Sequence, residues 1–86
     1  MTFEELYKKI QSKAGADPVD SNSAKYLALG THEIGKKLLE EAAESWMAAE
    51  HESKENAATE ISQLLYWAAL LGVSIGLNAK DIEDKL

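Results

Sequence analysis

Residues 35–73 read GKKLLEEAAESWMAAEHESKENAATEISQLLYWAALLGV and contain two helical patterns joined by a short polar segment. Apolar residues recur every three or four positions in the first pattern, and a nearly continuous apolar run fills the last third of the stretch. The polar turn between the patterns is centred near Glu52. We therefore predict two long helices, over about 31–51 and 53–73, that pair antiparallel.

Shorter helices are predicted on either side of this pair. The N-terminal one ends near Lys13, ahead of a loop over 14–22 that contains the only proline. A short helical segment follows over 23–29, and a last one begins near residue 78. The predicted N-caps, all with a short side chain that can accept a backbone hydrogen bond, are Thr2, Thr31, Ser53 and Asn78. No segment shows sustained period-two alternation, so we predict a single all-α domain over residues 1–86, with an antiparallel helical hairpin as its core.

Composition and charge limit the possible partners. The chain has 15 acidic and 9 basic residues and a net charge of −6, which disfavours nucleic acid and anionic membranes. It has no cysteine for disulfides or thiolate metal sites. The first residues lack the basic and apolar regions of a signal peptide, and the most apolar run is interrupted by Glu60, Ser62 and Gln63. We expect a cytoplasmic protein.

The helix predicted over 53–73 is apolar around most of its circumference. Such a helix is expected to be buried on nearly all sides. A chain of 86 residues is too short to supply that cover alone, so we predict that a homodimer completes the helical bundle.

Glu60 is the exception on this apolar helix, because a buried carboxylate needs a cation or another partner. If the hairpin turns near Glu52, residues at the same height have numbers that sum to about 104, since both helices rise equally per residue. Glu44 then lies level with Glu60, and Glu41 lies level with Gln63. Glu40 sits beside them on the first helix.

Clustered carboxylates favour a hard divalent cation with oxygen ligands. The predicted ligands are Glu41, Glu44, Glu60 and Gln63, and the predicted ion is Mg²⁺, with Mn²⁺ as a possible substitute. Lys36 and Lys37 lie one turn earlier and are candidates for binding phosphate oxygens. The alternative is a solvated glutamate-rich face with ordinary lysine–glutamate pairs, which leaves Glu60 unexplained.

Other polar and aromatic residues are predicted to be structural. His32 and His51 have no partner at ligand spacing and are expected at the surface. Trp46, Tyr66 and Trp67 are expected to pack rather than to bind a nucleobase.

The ordered motifs resemble those of the phosphoribosyl-ATP pyrophosphatase family, within the all-α nucleotide pyrophosphohydrolases. The family signature is E-x-x-E, a spacer, then E-x-x-D; here Glu41-x-x-Glu44 and Glu60-x-x-Gln63 fill it, with fifteen residues between them. The segment GKKLLEEAAE over 35–44 and the segment SNSAK over 21–25 also resemble the family. The chain departs from the signature at Gln63, which replaces an aspartate.

The resemblance implies an enzyme that hydrolyses phosphoribosyl-ATP to phosphoribosyl-AMP and pyrophosphate, the second step of histidine biosynthesis, as a homodimer. It implies catalytic roles for Glu40, Glu41, Glu44 and Glu60, and it adds Lys25 to the candidates for phosphate binding. Two alternatives remain open. One is a housecleaning hydrolase for non-standard nucleoside triphosphates, and the other is a helical dimerisation module without catalysis.

Overall fold

A computed structural model describes all residues of the chain, 1–86. It contains five helices that make up 74% of the residues, and it contains no strand. The helices are α1 (Phe3–Gln11), α2 (Asn22–Leu29), α3 (Thr31–His51), α4 (Lys54–Ser74) and α5 (Ala79–Glu83). The all-α prediction is confirmed.

The two long helices, α3 and α4, form the predicted hairpin around a turn at Glu52 and Ser53. The Ser53 side chain accepts a hydrogen bond from the Asn56 backbone and so caps α4, as predicted. Inside the hairpin, the Ser45 hydroxyl lies 2.8 Å from the Glu41 carbonyl and 3.0 Å from the Glu60 carbonyl. This contact fixes the register and satisfies a buried hydroxyl between the helices.

Helix α1 packs against α4. Its N-terminus is closed by the predicted capping box between Thr2 and Glu5. Buried Tyr7 packs on Gly72, and its hydroxyl donates a 2.6 Å hydrogen bond to the Leu77 carbonyl beyond the end of α4. A side chain at position 72 would meet the Tyr7 ring, so the glycine permits this close approach.

The predicted start of α3 is wrong by one residue. Gly30, with a φ of 102°, is the N-cap, and no side chain caps the helix there. Thr31 is already helical, and its hydroxyl lies 3.0 Å from the Ser74 hydroxyl at the far end of α4. Ser21, not a residue of the predicted segment 23–29, caps α2. The Asn78–Asp81 capping box opens α5 as expected.

The core lies where α1, α3 and α4 meet, around Tyr7, Ile34 and Leu70. Within one chain α4 is not covered on all sides, because Ile61 and Leu65 are 45% and 50% exposed. The sequence predicts that a second copy supplies the missing cover, and that dimer stays a prediction. On α3, Leu39 and Trp46 are 75% and 68% exposed. No helix combines the length and the hydropathy needed to cross a membrane.

Candidate functional site

The hairpin brings three carboxylates together. Glu41 and Glu44 lie one turn apart on α3, and Glu60 faces them from α4. One oxygen from each lies within 4.8 Å of the others, and all three side chains are half-buried. We call these residues the carboxylate cluster. The register follows from the hairpin turn, as the equal-height argument expected.

The cluster is electrostatically strained. Burial raises the pKa of Glu41, and the neighbouring Glu44 and Glu60 raise it further. Burial likewise raises the pKa of Glu60, with added contributions from Glu44 and Glu52. Both carboxyl groups therefore hold protons more readily than an exposed glutamate does. A divalent cation would relieve this repulsion.

Lys37 lies at the edge of the cluster. Its ammonium nitrogen is 3.3 Å from a Glu40 carboxylate oxygen and 5.7 Å from the centre of the Trp67 ring. The hydrogen bond to Glu40 raises the pKa of Lys37, and the charge of nearby Glu41 adds to this effect. The side chain is thus a fixed positive charge beside the carboxylates.

The other two lysine candidates are placed less favourably. Lys36 is exposed and pairs with Glu33 at 3.3 Å, on a side of α3 turned away from α4. Lys25 is exposed on α2, with its ammonium 5.5 Å from the centre of the Tyr26 ring. The structure therefore brings only Lys37 of the three beside the carboxylate cluster.

Gln63 is exposed and lines a cavity of about 600 Å³ between the start of α1, the start of α2 and the middle of α4. We call this space the α1–α4 cavity. Its apolar walls come mainly from Phe3, Leu6 and Leu65, with Asn22 at the α2 side. Gln63 is turned by about 60° around α4 from Glu60, whereas the other α4 residues of the wall are turned by about 120–160°. The cavity therefore lies mainly on a different face of α4 from Glu60, with Gln63 at the edge nearest the carboxylate cluster.

A hydrogen-bond group at the cavity was not predicted from the sequence. The Tyr66 hydroxyl lies 2.6 Å from the Ser23 hydroxyl, and the Asn22 amide donates to the Tyr66 hydroxyl at 3.4 Å. These contacts join residues more than forty positions apart. The only signal was the SNSAK segment itself, whose serines and asparagine are typical of a helix start as well as of a binding site.

Most of the structural roles predicted for the histidines and aromatic residues are confirmed. His32 and His51 are exposed. Trp67 is buried and meets the Tyr26 and Tyr66 rings edge-on, at centroid distances of 4.7 and 5.3 Å. The packing role predicted for Trp46 is wrong within one chain, because its ring is mostly exposed and its indole nitrogen donates to Glu50 on the same helix.

The donor set of the cluster suits Mg²⁺ or Mn²⁺. It offers only carboxylate oxygens, with no thiol and no histidine, and hard cations prefer such ligands. Mg²⁺ usually keeps several waters and also binds substrate phosphates. Three half-buried carboxylates beside one lysine can therefore hold a cation and a polyphosphate together.

The family model described as phosphoribosyl-ATP pyrophosphohydrolase matches residues 3–86, nearly the whole chain. The chain belongs to this family, as the resemblance predicted. It is therefore a hydrolase that acts on phosphoric anhydride bonds, and the family is one of histidine biosynthesis. Membership argues against the alternative of a dimerisation module without catalysis.

Proposed function

From that family membership, we propose that the chain hydrolyses phosphoribosyl-ATP to phosphoribosyl-AMP and pyrophosphate in a Mg²⁺-dependent reaction, the second step of histidine biosynthesis. The observation that carries the Mg²⁺ dependence is the carboxylate cluster of Glu41, Glu44 and Glu60. Without a cation, three carboxylates within 4.8 Å would repel both one another and an anionic substrate. The sequence also predicts a cytoplasmic location for this reaction.

The three clustered glutamates would hold the ion, with Gln63 as a further candidate ligand from α4. When bound, the ion offsets phosphate charge and polarises the phosphorus under attack. Lys37 would bind a phosphate oxygen, since its ammonium already sits beside the cluster. Glu40, which pairs with Lys37, would orient the attacking water or accept its proton.

Catalysis by this arrangement is mainly positioning and charge neutralisation. The carboxylates are fixed by two packed helices and by the Ser45 hydroxyl that joins them. Rigid placement of charged groups before the substrate arrives lowers the cost of reorganisation in the transition state. The hairpin therefore acts as a scaffold for the site.

The exposed apolar residues of α3 and α4 support a homodimer. Leu39 and Trp46 on α3 lie about 200° around the helix from Glu41 and Glu44 respectively, at 3.6 residues per turn. On α4, Ile61 and Leu65 are turned by about 100° and 140° from Glu60. We call these four exposed residues, each turned by about 100° or more from the carboxylates, the apolar flank. Such a surface is typical of a protein interface, so a second copy would complete a helical bundle there and leave the carboxylate cluster open.

The test compares pyrophosphate release from phosphoribosyl-ATP with release from a panel of canonical and non-standard nucleoside triphosphates, with and without Mg²⁺. We expect phosphoribosyl-ATP to have the highest kcat/KM and turnover to stop when the metal is chelated. A higher kcat/KM with a non-standard triphosphate would favour the housecleaning alternative. Turnover that persists in a chelator would contradict the Mg²⁺ dependence.

Thermal melts provide an independent measure of metal binding. A cation that binds only the folded protein raises its melting temperature through linkage. We expect millimolar Mg²⁺ or Mn²⁺ to stabilise the wild-type protein. An unchanged melting temperature would argue against a metal centre at the cluster.

A further inference from the structure

The two long helices meet along a seam of residue pairs that lie at equal height. Equal rise makes the numbers of each pair sum to about 104, as Glu44 and Glu60 of the cluster do. Lys37 and Trp67 form another such pair, and the Lys37 ammonium lies over the Trp67 ring, 5.7 Å from its centre. Trp67 follows Glu60 by seven residues, so it lies about 10.5 Å farther along α4 and is turned by only about 20°. The ring therefore shares the face of α4 that carries the cluster glutamate.

We propose that Trp67 is a positioning residue for the reaction, whose ring holds the Lys37 ammonium beside the carboxylate cluster, where it can bind a substrate phosphate. This inference rests on the proposed function, in which Lys37 binds a phosphate oxygen, and it adds the residue that places this lysine. Trp67 itself is only 5% exposed, so it would contact neither the metal nor the substrate. It acts only through the lysine.

The contact between ammonium and ring suits a lysine that must bind phosphate. A cation within about 6 Å of an aromatic centre is attracted to the ring face, and tryptophan attracts it most strongly. An ammonium has three N–H donors, and the ring face attracts its charge without neutralising it. Glu40 already pairs with the ammonium at 3.3 Å. A second carboxylate in place of the ring would compete with phosphate for the remaining donors, whereas the ring leaves them available.

Glu40 alone would hold Lys37 loosely. Its side chain is 54% exposed, and exposed ion pairs contribute little because solvent screens them and long side chains must be ordered. The Trp67 ring supplies a second point of contact, from the opposite helix. Among the lysines, only Lys37 combines an ion pair with an aromatic contact. Contacts from two helices restrict its ammonium more than either contact does alone.

Trp67 is itself fixed by aromatic neighbours. The Tyr26 ring of α2 and the Tyr66 ring of α4 meet it at nearly right angles, with interplanar angles of 88° and 86°. The Tyr66 hydroxyl in turn lies 2.6 Å from the Ser23 hydroxyl of α2. Close packing of this kind restricts a buried ring to one orientation. The position of the lysine is therefore coupled to the packing of α2 against the hairpin.

Substitutions at Trp67 test this role through the KM for phosphoribosyl-ATP. Trp67→Leu removes the aromatic face, and we expect it to raise KM about fivefold while kcat stays within about twofold. Trp67→Phe keeps a weaker aromatic face and should raise KM about twofold. Both variants should melt at a lower temperature, because a smaller side chain leaves a cavity in the core. The melting temperature therefore does not distinguish positioning from packing.

A double-mutant cycle with Lys37→Gln makes that distinction. If the ring acts through the lysine, Trp67→Leu should change KM by less than about 1.5-fold in the Lys37→Gln background. An increase of about fivefold in both backgrounds would mean that the ring only packs, and it would overturn the proposal. If Trp67→Leu does not fold, Trp67→Phe completes the cycle, with an effect of about twofold that should disappear in the Lys37→Gln background.

Tryptophan fluorescence tests the contact without turnover. The chain has two tryptophans, so in a Trp46→Phe background Trp67 is the only one that emits. Indole emission responds to a charge beside the ring, so adding Lys37→Gln should shift the emission maximum of Trp67. The matched control is Lys36→Gln, which removes a neighbouring lysine that pairs with Glu33 and should leave the emission unchanged. Identical emission in all three proteins would overturn the proposal.

The possible outcomes separate this inference from the proposed function. If the wild-type protein hydrolyses phosphoribosyl-ATP but the cycle shows no coupling, the positioning role is overturned and the proposed function stands. Thermal melts with Mg²⁺ and inorganic pyrophosphate repeat the cycle as a measure of binding alone. If the wild-type protein hydrolyses no phosphoribosyl-ATP but Lys37 and Trp67 are coupled in pyrophosphate binding, the proposed function fails and the positioning role of Trp67 stands.

Discussion

The two flanks of the α3–α4 hairpin differ in their chemistry: one gathers carboxylates, and the other leaves apolar side chains exposed. One flank carries the carboxylate cluster, where burial and neighbouring carboxylates raise the pKa of Glu41 and of Glu60. The other is the apolar flank, where Leu39, Trp46, Ile61 and Leu65 remain exposed. Both flanks are built on the same two helices and differ only in helical phase.

The comparison shows that stability and function place opposite demands on one element. A single chain of this size can cover only part of its apolar surface, and the apolar flank is the remainder. On the proposed function, the cluster flank must stay open, because the cation and the substrate would reach it from solution. Helix α4 is apolar around most of its circumference because it contributes to both the core and the apolar flank, while Glu60 on the same helix belongs to the carboxylate cluster.

The largest expected effect comes from the cluster flank. Glu60→Gln removes one of three cluster carboxylates, so kcat/KM for phosphoribosyl-ATP should fall on the order of 100-fold or more, and stabilisation by Mg²⁺ should weaken. The melting temperature without metal should be unchanged or higher, because repulsion with Glu44 is relieved. Steady-state kinetics and thermal melts measure both effects.

The matched control is Glu55→Gln, which neutralises an exposed glutamate on the first turn of the same helix, outside the cluster. It should leave turnover and the effect of Mg²⁺ nearly unchanged. Retained turnover in Glu60→Gln, together with a lower melting temperature, would instead assign Glu60 to a structural ion pair.

The second effect tests the apolar flank. Ile61→Lys places a charge among residues that we expect a second copy to cover, so the dimer should dissociate roughly 30-fold more readily, by analogy with the loss of one central interface residue. The control is Val19→Lys, a substitution at an apolar residue in the loop before α2 that is 91% exposed, against 45% for Ile61. Sedimentation that shows a folded wild-type monomer at micromolar concentration would contradict the dimer.

The sequence predicted those parts of the fold that depend on nearby residues. The capping boxes at Thr2 and Asn78 and the cap at Ser53 follow from residues three positions apart. The carboxylate cluster was also predictable, although it joins two helices. A tight hairpin turn sets the register, so equal rise on both helices decides which residues meet.

The parts that were missed depend on how distant elements pack. The Tyr7–Leu77 hydrogen bond joins residues 70 positions apart, and no local pattern reveals it. The α1–α4 cavity likewise exists only because α1 crosses α4, which the spacing of apolar residues does not specify. Thr31 had the right chemistry for an N-cap, but Gly30 supplies the positive φ at that turn, so the cap moved by one residue.

Lys36 and Lys37 are adjacent in sequence but differ in position, which makes them a matched pair. Lys37→Gln should raise the KM for phosphoribosyl-ATP about tenfold, because it removes a charge-assisted hydrogen bond to phosphate. Lys36→Gln should change KM by less than about twofold, since that side chain pairs with Glu33 away from α4. Both variants should melt near the wild-type temperature. Equal kinetic effects would contradict the distinction between the two lysines.

A smaller effect is expected at Gln63, which lies at the edge of the cavity nearest the cluster. Gln63→Asp supplies the carboxylate that the family signature carries at this position, so Mg²⁺ should bind severalfold more tightly, as measured by titration with thermal or calorimetric detection. Gln63→Ala is the control, because it removes the amide without adding charge. Unchanged Mg²⁺ affinity in Gln63→Asp would place this side chain outside the ligand set and leave it as part of the cavity wall alone.

The smallest expected effect is the pH dependence of stability. The pKa of Glu41 and of Glu60 is raised in the folded chain, first by burial and then by Glu44. Between the unfolded and folded pKa values, the folded state therefore keeps protons that the unfolded state has released. The stability that this protonation contributes is fully present below the unfolded pKa, and it is lost as pH rises through the folded pKa. Without metal, lowering the pH from about 7 to about 5 should stabilise the wild-type protein more than Glu60→Gln, which lacks one of the two groups.

Saturating Mg²⁺ should reverse that trend, because protons then compete with the cation for the same oxygens and the bound state weakens as pH falls. Thermal melts of both proteins across this range, with and without Mg²⁺, measure the two slopes. If the slopes have the same sign with and without metal, the carboxylates do not bind the cation, and only the apolar flank of the hairpin would retain an assigned role.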